Sequence, residues 1–116
     1  EQVELHPAAL TLRLEWAGVS NQLGLLAESQ NDFEGAAQRY GAAVAALEDL
    51  CRLVDDDPVY WHRLALARLN LSSPFRVQGE VARAQELVAA GFEAISRARA
   101  LSPEDAQLCD TLLTLY

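Results

Sequence analysis

The sequence predicts an all-α domain of antiparallel helical hairpins, with about five helices over residues 1–116. Three observations carry that expectation. Ala and Leu, both favourable in helices, number twenty each in 116 residues. No alternating run rich in Val, Ile or Thr is present to make strands. Apolar residues recur instead at steps of three and four along the whole chain, which is the period of an amphipathic helix.

The first helix is expected at about 8–29, where Leu12, Trp16, Val19, Leu23 and Leu26 form one stripe. The second, at about 31–54, carries Phe33, Ala37, Tyr40, Val44, Leu47, Cys51 and Val54 at alternating steps of four and three. Asn31, with Glu34 three residues on, reads as a capping box that satisfies the unpaired amides at its start. The third, at about 58–72, carries Tyr60, Leu64, Ala67 and Leu71. Asp57 is its N-cap, and Pro58 follows at the first helical position, where a missing N–H costs nothing. Ser72–Gly79 holds both Pro74 and Gly79 and reads as the longest break in the chain. A fourth helix at about 79–101 carries Val81, Ala84, Val88, Gly91, Ile95 and Ala98. The fifth, at about 104–116, opens after Ser102-Pro103 and carries Leu108, Leu112 and Leu115. Connections this short force consecutive helices to pack antiparallel.

Composition narrows the function. Seventeen acidic residues against nine basic ones give a formal charge of −8 and a pI near 4.6. Such a balance argues against nucleic acid as a partner, because that affinity comes from cations neutralising phosphates. All nine basic residues are arginines, so Schiff-base lysine chemistry and the phosphate-loop lysine are both excluded. Half the residues are apolar, yet the mean hydropathy is only +0.01, and no apolar run approaches the ~18 residues of a membrane span. Cys51 and Cys109 each fall inside an apolar helical pattern and read as small buried hydrophobes, which suits a reducing, cytoplasmic setting. The chain starts at Glu1 without Met, as expected of a domain cut from a longer protein.

The sequence also repeats itself. Leu23-Gly24, Ala36, Tyr40 and Ala43 return at one constant offset as Leu71-Ser72, Ala84, Val88 and Gly91. Under the same shift Leu47 falls on Ile95, Leu53 on Leu101 and Leu64 on Leu112. Small residues at 24, 36, 43, 72, 84 and 91 allow close helix approach, with Tyr40 and Val88 filling the space between. This pattern resembles the tetratricopeptide repeat, which places Leu-Gly in its first helix and Ala, an aromatic and Ala in its second. The second copy departs from it with Ser72, Val88 and Gly91, the family's Trp position is Ser20, and the spacing is longer than the family's. The resemblance implies hairpins stacked as a short right-handed superhelix over roughly 10–116. The segments around Trp16 and Trp61 are also similar to the long repeats of large bacterial regulatory proteins.

No catalytic or metal-binding constellation stands out. His6 and His62 have no ligand-type residue three or four positions away. Asp55-Asp56-Asp57 lacks the alternate spacing, glycine and glutamate of a calcium loop and reads as a solvated helix junction. Ser20, Ser29, Ser72, Ser73 and Ser96 have no local base, so neither an enzyme nor a cofactor is expected. The resemblance implies instead a concave groove lined by first helices, which takes a protein or peptide. Its register gives Gly18, Asn21, Leu25 and Glu28 from the first copy, and Leu66, Leu69, Ser73 and Arg76 from the second. Arg68, with Arg63 and Arg76, has the chemistry to hold an acidic side chain of that partner. The candidate contacts are therefore Asn21, Leu25, Glu28, Leu66, Leu69, Arg68 and Arg76. The alternative is a structural element that forms a homodimer or caps a longer array, because two repeats are fewer than the three or so that bury a solenoid core.

Overall fold

A computed structural model describes residues 6–102. They form four helices and no strand: α1 (Pro7–Ser29), α2 (Phe33–Leu53), α3 (Pro58–Val77) and α4 (Val81–Leu101). The count among the described residues is thus four rather than five, and the expected helix at 104–116 lies outside them.

The turns that close the two hairpins, one after α1 and one after α3, are built alike. At the end of α1, Asn31 adopts φ 61° and donates its N–H to the Glu28 carbonyl at 3.0 Å, while Asp32 N–H reaches Ala27 O at 2.9 Å. At the end of α3, Gly79 adopts φ 86° and donates to Arg76 O at 3.1 Å, while Glu80 N–H reaches Phe75 O at 2.8 Å. Both are Schellman motifs, which satisfy the last carbonyls of a helix through one residue in the left-handed region. Asn and Gly are the residues that enter that region most cheaply. This overturns the expected capping box, because Asn31 is used in ending α1. Asp32 caps α2 instead, accepting from Gly35 N–H at 3.0 Å.

The start of α3 is as expected: Asp57 accepts from Val59 N–H at 3.0 Å and Pro58 opens the helix. Its end is not. The helix does not stop at residue 72 but runs through Pro74 to Val77. Pro74 has no N–H to give the Asn70 carbonyl, a defect that costs about 3 kcal/mol in an isolated helix. Here the ring is buried, and Leu69, Leu71 and Ser72 beside it are buried too, so packing outweighs the local preference.

Sequence neighbours are space neighbours: α1 packs on α2, α2 on α3, and α3 on α4. Tyr40, Leu50, Leu64, Leu69 and Ile95 are fully buried at the centre, each contributing roughly 1.5–3 kcal/mol of hydrophobic stabilisation. The small residues are where large ones seat. A Cβ on Gly24 would stand 2.5 Å from the Tyr40 ring, and one on Gly91 would stand 3.0 Å from Leu69 Cγ. The stripe read on α1 is not the face that packs, however. Ala17, Ser20 and Gly24 are buried, whereas Leu12, Trp16, Val19 and Leu26 are exposed. The helix must present small side chains to α2 so that the Tyr40 ring fits, which leaves its large residues pointing elsewhere.

Candidate functional site

A narrow groove of about 40 Å³ runs between α1 and α3. Leu14, Ala17, Gly18 and Asn21 line it from α1, and Arg63, Leu66 and Ala67 from α3, with Leu47 of α2 at its base. Helical periodicity explains the α1 set, because positions 14, 18 and 21 share one side of the helix, next to the face that buries Ala17. Gly18 leaves open space, with no atom within 4 Å of where a Cβ would stand. Asn70 of α3 donates its side-chain N–H to Asn21 Oδ1 at 3.2 Å, joining the two walls. Arg63 is exposed at the rim, and Leu66 is half-buried.

The expected contact residues divide in this light. Asn21 and Leu66 do meet in the groove, with Gly18 between α1's turns. Leu25 is 44% exposed on α1, one turn beyond Asn21, and does not line the groove. Glu28 has a structural partner, since the Tyr40 hydroxyl donates to its Oε1 at 2.8 Å. Leu69 is fully buried against Gly91 and belongs to the core. Leu66 and Leu69 stand about 60° apart on α3, which is enough to place Leu66 at the groove and Leu69 in the core.

Arg68 departs furthest from expectation. Its Nη1 donates to the Ala90 carbonyl of α4 at 3.0 Å and its Nη2 pairs with Glu48 of α2 at 3.2 Å. The side chain is only 16% exposed, so this arginine ties three helices together rather than waiting for a ligand. Around it lies a polar cleft with Glu48, Cys51, Arg52, Asp55, Trp61 and Arg97, on the side of the molecule formed by α2 and α4. Arg97 stacks on the Trp61 ring at 5.0 Å, and the Trp61 indole donates to Asp55 O at 2.9 Å. Burial pushes the Cys51 thiol up to about 11, with nearby Arg68 pulling the other way, so it stays a neutral thiol and an unreactive one. Arg76 is exposed and sits apart from the α1–α3 groove, beside Val81, Val88 and Phe92 of α4, with its guanidinium near Ser72 Oγ at 3.4 Å.

Gly18, a groove position in the repeat register, and Arg63, one of the three arginines suited to an acidic side chain, both line the groove although neither is among the seven chosen contacts. A glycine inside a helix costs about 1 kcal/mol against alanine, and at Gly18 the space left open is the groove floor. Among the described residues no group of His, Cys, Asp or Glu is arranged to hold a metal, and no helix is long and apolar enough to cross a membrane. No family model, no curated protein and no solved structure matches the chain.

Proposed function

We propose that the chain is a non-catalytic protein-interaction module that binds a polypeptide segment along the α1–α3 groove. The observation that carries this reading is the open floor at Gly18, flanked by Leu14 and Leu66 and edged by the Asn21–Asn70 pair and Arg63. Apolar walls supply contact area, an amide pair offers hydrogen bonds to a backbone, and an exposed arginine favours an acidic side chain in the ligand. A chain of formal charge −8 disfavours nucleic acid and anionic lipid as alternatives. The Tyr40 ring seated on Gly24, and the matching turns at Asn31 and Gly79, support the tetratricopeptide-like reading of two stacked hairpins. In that reading the groove is the concave side. Arg68 plays no part in it.

A display selection of random peptides on the full chain tests the proposal. Enriched peptides should carry an acidic residue near apolar ones. Gly18→Leu fills the groove without meeting another atom at its Cβ, so it should fold and weaken those peptides at least tenfold. Peptides that bind Gly18→Leu as well as wild type would place recognition elsewhere, and a selection that enriches nothing would remove the function.

A further inference from the structure

We propose that a second copy of this chain covers the outer face of α1, the two α1 helices pairing antiparallel. Leu12, Trp16, Val19 and Leu26 are 65, 52, 53 and 55% exposed, and Leu23 between them is half-buried. On a helical wheel this stripe stands roughly 110° from Ala17, Ser20 and Gly24, which face α2, and roughly 150° from the groove residues Leu14, Gly18 and Asn21. It is a third side of α1, used by neither neighbour. The proposal therefore stands apart from the groove and from any ligand bound there.

Two features choose the occupant, and a third shows that a helix can cover this face. The first is spacing. Steps of 4, 3, 4 and 3 from Leu12 to Leu26 are the a and d positions of two heptads, and they extend about 21 Å along the helix. The seam is self-complementary: antiparallel pairing sets Trp16 of one copy against Val19 of the other, and Leu12 against Leu23. The second is charge. Copies of a chain at −8 repel, so they can meet only where acid is sparse. Arg13, Glu15 and Glu28 are the only charged side chains in the 23 residues of α1. The antiparallel register brings Glu15 near Gln22 of the other copy, so no like charges face each other across the seam. The third is the internal repeat. Carried to the second copy of the repeat, the stripe becomes Tyr60, Leu64, Ala67, Leu71 and Pro74 of α3, of which the last four are buried, and α3 there packs against a helix. The same positions on α1 thus have a shape that a helix can cover.

Sedimentation velocity on the full chain, from micromolar to a few hundred micromolar, tests this. A monomer–dimer equilibrium is expected, and Val19→Glu should weaken it by on the order of a hundredfold by placing a carboxylate in the seam. Leu12→Glu serves as a second disruption if the first variant loses its helical circular dichroism. Phe92→Glu, on the exposed side of α4, should leave the dimer intact. A wild-type chain that stays monomeric throughout overturns the proposal, whatever the variants do. So does a ladder of growing oligomers, which means head-to-tail contact, or a dimer that Phe92→Glu dissolves and Val19→Glu does not.

Discussion

Replacing Gly24 by alanine should destabilise the protein relative to the same replacement at Gly18, although both glycines lie inside α1. Each substitution gains about 1 kcal/mol of intrinsic helix preference, because glycine loses the most backbone freedom on folding. At Gly18 no atom lies within 4 Å of the new methyl, so the whole gain is realised. At Gly24 the methyl would stand 2.5 Å from both Cδ1 and Cε1 of Tyr40. The ring is fully buried, and its hydroxyl is held at 2.8 Å by Glu28, so it cannot swing into solvent without losing that bond. Overpacking of this kind costs about 1–3 kcal/mol. Subtracting the helix gain leaves Gly24→Ala about 0–2 kcal/mol below wild type and about 1–3 kcal/mol below Gly18→Ala. For a domain of this size that is a separation of roughly 5–20 °C in Tm. Thermal and urea denaturation followed by far-ultraviolet circular dichroism reads it directly. A Tyr40→Leu background should shrink the gap between the two alanines, because the smaller side chain vacates the contested space. If Gly24→Ala gains as much as Gly18→Ala in the wild-type background, the ring does not rest on Gly24 and α1 packs on α2 through another face.

Two further outcomes follow from contacts in the core. Arg68→Ala removes the links to Ala90 O and Glu48 and should cost about 1–2 kcal/mol in urea denaturation, while peptides bound at the α1–α3 groove keep their affinity. A loss of peptide binding at unchanged stability would restore Arg68 to the ligand site. Cys51 holds its proton up to about 11 in the folded chain against an ordinary value near 9.0, so the folded state binds that proton more tightly than the unfolded one. Its contribution is complete below about pH 9 and is lost as pH rises towards 11, giving a fall in stability over that window that Cys51→Ala should reduce. Equal pH profiles for the two proteins would mean that the thiol is solvated.

Much of the architecture was legible because it follows from local chemistry. The four helices, the Asp57-Pro58 start of α3, the stripes on α2 and α3 and the stripe on α4 beyond the exposed Val81 come from periodicity and caps that act within a few residues. The residues that recur at one offset in the sequence are joined in the structure by a likeness of turn chemistry, with Asn31 and Gly79 as corresponding left-handed residues. Asn31 and Asp32 compete for the same turn, and only the φ of 61° shows that Asn31 ends α1 while Asp32 caps α2.

What the tertiary structure decided is which apolar residues are used, and against what. Pro74 marks a break by itself, yet it lies inside α3 because packing on both sides stabilises the helix more than one missing hydrogen bond weakens it. The strongest stripe on α1 gave no sign that it would stay exposed, since amphipathic spacing records that a face is apolar and not which neighbour arrives to cover it. Leu66 and Leu69, three residues apart and chemically identical, separate into groove wall and core by rotation about the helix axis. Arg68 reads in the sequence as a cation seeking an acid, and so it is; the acid is Glu48 of the same chain, twenty residues away and brought within 3.2 Å by the folding of α2 against α3. Helix preference and capping are properties of neighbouring residues, and the order of the sequence contains them. The partner of a side chain depends on how helices rotate and pack, and those choices are made between segments far apart in the chain.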